Sequence, residues 1–292
     1  MKVIVTGSLG NIGKPLTKEL IQKGHAVTVI SSKPEKQKDI EALGAIAAIG
    51  SLDDADFLTS TFTGCDAVFA MVPPNYSETD QVAYYRRIGS NYLQAIRQSG
   101  IKRVIHLSSY GAHLDKGTGF ILGAHHVEGI LNELSDVGIT HLRAGYFYYN
   151  LYSFVDMIKE QDIIGANYGG DDKMVMVAPS DIAAVAAEEL EKPATGRNLR
   201  YVVSDDLTGS EVAHILGTAI GKPDLKWIIF SDEQMKDALT KSGMPAHLMT
   251  NIIELGASIH SGELRGDYDR HKLITMGTVK LVDFAKEFAA AF

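Results

Sequence analysis

The stretch Val3-Ile4-Val5-Thr6-Gly7-Ser8-Leu9-Gly10-Asn11-Ile12-Gly13 decides how the first half of the chain reads. Three β-branched apolar residues form a strand, and three glycines at three-residue spacing follow it. A helix then runs from about Asn11 to Lys23, with Ile12, Leu16, Leu20 and Ile21 on one face and Gly24 closing it. The glycines have separate physical tasks in such a turn. Gly7 permits the tight bend, Gly10 lets backbone amides approach a diphosphate, and Gly13 lets helix and strand pack closely. The opening of the helix offers unpaired N–H groups and the positive end of its dipole to that anion. A glycine triplet alone is a weak signal, but this one stands between a strand and an amphipathic helix, which is the required context.

Outward from this loop, short apolar runs alternate with helical patterns, the signature of βαβ units and a parallel sheet. Strands are expected at Ala26 to Ile30, Ala45 to Ile49, Ala67 to Met71, Arg103 to Leu107 and Thr140 to Arg143. Helices are expected at Lys33 to Leu43, Asp54 to Thr61, Thr79 to Gln98 and Leu122 to Leu134. The rhythm changes after Asn150. Ser180-Asp181 opens an Ala-rich helix, Asn198 to Val203 is a strand, and Leu225 to Phe230 another. Thr208-Gly209-Ser210-Glu211 and Ser231-Asp232-Glu233-Gln234 both have capping-box form. Pro245 to Ile259 and Val279 to Ala290 read as further helices. The fold class is therefore α/β, a Rossmann-like doubly wound parallel sheet with a smaller, mostly helical C-terminal lobe. Residues 1–150 form the dinucleotide-binding domain, to which 176–204 return; 151–175 and 205–292 make the second lobe.

Composition sets outer limits. The 292 residues are 45% hydrophobic and 22% charged, ordinary for a globular chain able to bury a large core. A net charge of −8 argues against a broad nucleic-acid-binding face. A single cysteine, Cys65, excludes an internal disulfide and suits a reducing compartment. No apolar run approaches membrane length and the N-terminus lacks signal-peptide form, so a cytoplasmic location is expected. No His, Cys or carboxylate cluster has zinc spacing, and no metal is expected.

The end of the second strand selects the cofactor. An acid there would bind the ribose diol of NAD(H). Here the stretch is Val29-Ile30-Ser31-Ser32-Lys33-Pro34-Glu35-Lys36, with hydroxyls and lysines instead. These suit a 2′-phosphate, so NADP(H) is expected, and NAD(H) is the lesser alternative.

The chain resembles the NmrA-like branch of atypical short-chain dehydrogenase/reductases. The matching segments are Thr6 to Gly13, Val68 to Pro74, Val104 to His113, His125-His126-Val127-Glu128, Leu142 to Asn150 and Ser180-Asp181-Ile182-Ala183. The resemblance implies a Rossmann-like core, a small C-terminal lobe and a cleft between them at the strands' C-terminal ends. It also implies that Gly7, Ser8, Gly10, Asn11, Ile12 and Gly13 hold the diphosphate. Ser31, Ser32 and Lys33 would face the 2′-phosphate, Ser51 and Leu52 the adenine, and Met71, Val72 and Pro73 the nicotinamide ribose. This chain departs from its relatives in three places: Ser32 or Lys33 where arginine is frequent, Ser51 where aspartate is frequent, and Ala144 for a frequent proline.

The Tyr-x-x-x-Lys pair of typical short-chain reductases is missing: its place reads Gly119-Phe120-Ile121-Leu122-Gly123-Ala124-His125-His126. Two readings remain. One is a flavin-free, NADPH-dependent reductase of quinones or similar electrophiles, in which the protein aligns donor and acceptor. The other is an NADP(H)-sensing regulator whose occupied form is read by a protein partner. An isomerase or ether-cleaving reductase is disfavoured, because the lysine for it is not apparent. Candidate proton donors are Tyr110, His125, His126 and Tyr146. Candidate substrate contacts are Tyr110, Tyr146 and Phe147, from aromatics that come after strand ends. His106 reads as a satisfied core histidine, Asp171-Asp172 as a polar turn, and Glu188-Glu189 as an exposed helix face.

Overall fold

The computed structural model describes residues 1–193, 195–271 and 275–292. In chain order the first elements are β1 (Lys2–Val5), α1 (Gly13–Gln22), β2 (Ala26–Ser31), α2 (Gln37–Ala42), β3 (Ile46–Ile49), α3 (Ala55–Phe62), β4 (Ala67–Ala70), α4 (Gln81–Ser99), β5 (Arg103–Ser109), α5 (Ile121–Leu131) and β6 (Gly138–Ala144). Next come β7 (Tyr146–Phe147), α6 (Val155–Gln161), β8 (Ile163–Ala166), β9 (Lys173–Val177), α7 (Pro179–Glu191), β10 (Arg197–Val202), β11 (Asp205–Thr208), α8 (Gly209–Ala219), β12 (Lys226–Ile229), α9 (Asp232–Lys241), α10 (Ala246–His260), α11 (Arg265–Tyr268) and α12 (Leu281–Phe288). The chain divides into two units. The first holds Met1–Ser109, Gly123–Arg143 and Ile182–Arg200; the second holds Tyr110–Leu122, Ala144–Asp181 and Tyr201–Phe292.

A seven-stranded sheet in the order β10-β6-β5-β4-β1-β2-β3 organises the first unit. Strand β1 pairs in parallel with β2 and β4, β2 with β3, and β4 with β5. Bonds from Ile139 N–H to Gly196 O and from Gly145 N–H to Val202 O run β10 the same way as β6. A sheet covered on both faces needs strands that are apolar throughout. Val3, Ile4 and Val5, and Ala67 to Ala70, are accordingly all buried. Leu16 and Leu20, one helical turn apart, sit fully buried on α1, each stabilising by about 2 kcal/mol. The fold class read from the sequence is the one found. Strand order reverses at β1, between β2 and β4, which is where an open α/β sheet offers a ligand its crevice.

Two details differ locally. The expected helix at Lys33 to Leu43 is a 3-10 turn at Pro34–Lys36 followed by the short α2. The second unit contains the small sheets β11-β9-β7 and β12-β8, and of their strands only β12 was expected, as Leu225 to Phe230.

One expectation is corrected outright. Glu188 is exposed, but the Glu189 side chain is only 8% exposed. Its carboxylate lies 2.8 Å from Arg200 Nη1, 2.7 Å from Lys192 Nζ and 3.3 Å from Arg103 Nη2. Three cations drawn from β5, β10 and the end of α7 make its burial tolerable.

Candidate functional site

The glycine loop is built by steric and hydrogen-bonding demands that can be assigned residue by residue. Gly7 has φ +88°, which an L side chain rarely adopts, and a Cβ there would meet the Met71 side chain. A Cβ on Gly13 would lie 2.0 Å from the Ser8 carbonyl oxygen, an impossible approach to backbone. Gly10 is different. Its φ is not in the left-handed region, it is exposed, and a Cβ would meet nothing closer than 3.5 Å. The chain's own fold does not require glycine at position 10, so the requirement points to something outside the chain.

Ser8 is held at φ +58°, a conformation costing a non-glycine residue about 1 kcal/mol. Its N–H donates to Ile30 O at 3.0 Å and its hydroxyl to Ser31 Oγ at 3.0 Å, tying the loop to the end of β2. Behind the loop, Thr6 Oγ1 accepts from Met71 N–H at 2.9 Å. The fully buried Tyr92 hydroxyl lies 2.6 Å from Met71 O and 3.1 Å from Thr6 Oγ1. Burial pushes that phenol's pKa far up, so it remains a neutral clamp between β1, β4 and α4. No side chain caps the start of α1 and no acid stands in its first turn. The site therefore offers helix-opening amides, a positive dipole end and no competing carboxylate, which fits a diphosphate.

The remaining residues of the first unit take distinct places. Ser31 is buried, and its Oγ accepts from both Ser8 Oγ and Lys33 N–H, so it braces the loop. Ser32 and Lys33 are exposed just beyond. Lys36 pairs with Asp39 at 3.2 Å. Ser51 is exposed and its hydroxyl accepts from Asp53 N–H, while Leu52 packs on the core and its carbonyl accepts from Asn91 Nδ2 at 3.0 Å. Met71 and Pro73 are half-buried and Val72 buried; Pro73 O accepts from Tyr84 OH. The structure thus gathers residues 6–13, Ser31 and Met71 into one arrangement. Tyr92, which pins it from α4, and Asn91, which holds the Leu52 carbonyl, were missed; both lie within a helical pattern that gives no hint of what they reach.

His125 and His126 are half-buried neighbours on α5, their rings 5.4 Å apart edge to face. Burial, with Arg86 and His125 adding to it, lowers the His126 pKa, so it is neutral near pH 7. Glu128, two residues on, makes a buried network. Its Oε1 accepts from Ser108 Oγ at 2.5 Å and from Arg143 Nε at 3.0 Å, and its Oε2 from Arg143 Nη2 at 2.7 Å. The His-His-Val-Glu segment therefore carries a structural tie from α5 to β5 and β6. His106 is the satisfied core histidine expected, with His141 as its partner.

The aromatic candidates belong to the second unit. Tyr110 is buried and meets the Tyr268 ring edge to face at 6.1 Å. Tyr146 accepts from Tyr168 OH at 3.3 Å, and Phe147 stacks at a tilt with Tyr149. Burial raises the phenol pKa of both Tyr110 and Tyr146 well above its ordinary value. Half-buried Cys65 also has its thiol pushed up by burial. Among the described residues no group of three or more His, Cys, Asp or Glu could hold a metal, and no helix is long and apolar enough to cross a membrane.

The fold and the open glycine loop define a Rossmann-like α/β protein. The family model for the NmrA-like family matches residues 1–267, and the chain belongs to that family. It is 29% identical to an NAD(P)H azoreductase of Xenophilus azovorans over 297 residues, covering 99% of each chain. The fold is shared with an NADPH-dependent quinone oxidoreductase of Escherichia coli solved with NADPH, at TM-score 0.83, 22% identity and 98% and 99% coverage. It is also shared with a Citrobacter triphenylmethane reductase solved with NADP(H), at TM-score 0.80, 20% identity and 99% and 100% coverage.

Proposed function

We propose that this protein is a reductase that binds NADPH in preference to NADH and transfers its hydride to small electrophilic acceptors, quinones first among them. The observation that carries the reading is Gly10, an exposed glycine that the chain's own packing does not demand, at an uncapped helix opening. The names of the relatives support it: an azoreductase matched along its full length, and fold neighbours that reduce quinones and triphenylmethane dyes.

A bound reduced nicotinamide supplies the hydride. The chain's residues do the rest. Amides of Gly7 to Gly13 hold the diphosphate, Ser32 and Lys33 the 2′-phosphate, and Ser51 and Leu52 the adenine. Met71, Val72 and Pro73 line the nicotinamide ribose. Tyr110, Tyr146 and Phe147 are the candidate contacts for the acceptor. The two phenols, raised by burial, keep their protons at neutral pH, and His126 stays neutral. The proton that completes reduction then comes from solvent, which a quinone permits because the hydroquinone oxygens are themselves weakly acidic.

The test is to follow NADPH absorbance with purified protein and a panel of quinones, an azo dye and a triphenylmethane dye. Acceptor-dependent consumption above the protein-free rate is expected. Tight NADPH binding with no consumption by any acceptor would replace this reading by that of a regulator sensing the cofactor.

A further inference from the structure

A second polar site lies in the first unit, toward the starts of the strands and at the β10 edge of the sheet. A cavity of about 410 Å³ is lined there by Arg103, Thr140, Glu189, Lys192, Asn198 and Arg200, among others. Arg103 is the first residue of β5 and Thr140 the third of β6. The glycine loop lies past the opposite, C-terminal end of β1. The two sites are separate, and ligand binding at the second is independent of the reductase reading.

Arg103 is 96% buried, with 4% of its surface exposed. Its Nε and Nη2 donate to Glu189 O at 3.2 and 2.7 Å, placing a cation on a carbonyl in the last turn of α7. Nη2 also reaches Thr140 Oγ1 at 3.0 Å and Glu189 Oε2 at 3.3 Å. Nη1 is buried and has no acceptor among the described residues. A native chain rarely leaves a charged buried donor unpaired, because it forfeits the hydration it had in the unfolded state. Glu189 cannot serve it, since its carboxylate is already shared by Arg103 Nη2, Thr140, Lys192 and Arg200. The lining carries three cations and one carboxylate, and exposed Glu188 pairs at the rim with Lys192 at 2.7 Å and Arg200 at 2.9 Å, leaving one positive charge in excess in a chain whose net charge is −8. Exposed Lys192 and Asn198 and half-buried Arg200 stand on its solvent side.

We propose that this cavity binds a small molecule bearing a phosphate or carboxylate group, whose oxygens take the vacant N–H of Arg103 and the ammonium of Lys192. A guanidinium fork is the natural partner of both groups, and the cavity has the volume of a small-molecule site. Thr140 and Asn198 add neutral polar partners.

Calorimetric titration with inorganic phosphate, and separately with citrate, tests the site at constant ionic strength. The full-length Gly10→Asp variant is used, so that a carboxylate bars anions from the glycine loop. Saturable binding of either anion is expected, and the one that binds identifies the group recognised. A Lys192→Met, Asn198→Leu variant replaces two exposed residues, one of them a cation on Glu189, and keeps the Arg103–Glu189 pair; its affinity should fall about tenfold or more. Arg103→Lys, which replaces three guanidinium nitrogens with one ammonium while keeping charge, should weaken binding likewise. Absence of saturable heat with both anions up to tens of millimolar overturns the proposal. So does unchanged affinity in the exposed double variant.

Discussion

The Nδ1 atoms of His106 and His141 lie 2.9 Å apart in the buried sheet, each histidine on a neighbouring strand. One must donate and the other accept, so the pair holds both rings neutral. His141 passes the chain on to Asn132 Oδ1 at 3.1 Å. Burial lowers His106 well below its ordinary range and His141 to about 4; nearby Glu128 opposes the latter shift, while Arg143 and Arg197 reinforce it. Unfolded histidine titrates near 6.5. Below that pH the unfolded chain therefore binds more protons than the folded one. Stability is full above about pH 6.5 and falls as pH drops toward 4, by roughly 1 kcal/mol per pH unit for each histidine. Urea midpoints between pH 7.5 and 5 check this, and His106→Leu should flatten the slope. A flat wild-type profile over that range refutes the paired-neutral arrangement.

Gly10 and Gly13 separate binding from folding. Gly10→Ala meets no atom of the protein nearer than 3.5 Å, so the melting temperature should hardly move while NADPH affinity drops about tenfold or more. Gly13→Ala drives a methyl into Ser8 O and should cost about 1–3 kcal/mol or more. Equal effects of the two substitutions on stability would mean that the loop has been misread.

Lys33 is exposed beside a buried, fully engaged Ser31. Lys33→Ala should weaken NADPH about tenfold and leave NADH nearly unchanged, since the two differ by one phosphate. Ser31→Ala removes the brace of the loop and should weaken both. Fluorescence titration of each nicotinamide separates these patterns, and a Lys33→Ala variant that loses both cofactors equally contradicts the assignment.

Glu188 and Glu189 are adjacent but lie in opposite environments. Glu189→Ala strands Arg103 in the interior and should cost about 3–5 kcal/mol. Glu188→Ala removes exposed pairs with Lys192 and Arg200 and should cost less than about 1 kcal/mol. Chemical denaturation of the two variants measures the contrast; similar losses would mean that Glu189 is not buried with its cations.

The doubly wound sheet and the glycine loop were legible in the residues themselves, because both rest on local rules. Apolar runs such as Val3-Ile4-Val5 must be covered on both faces, Leu16 and Leu20 recur at helical spacing, and the steric demand at Gly7 and Gly13 comes from a few neighbouring residues. Which polar side chains are buried, and with whom, emerged only once the chain was folded. Glu189 meets Arg103 across 86 positions, His106 meets His141 across 35, and Asp181 accepts from the backbone of Thr278 across 97. A charge on a helix reads the same whether it faces water or a buried guanidinium. The free energy that separates those outcomes depends on desolvation and on partners brought from far along the chain, and no window of sequence contains them.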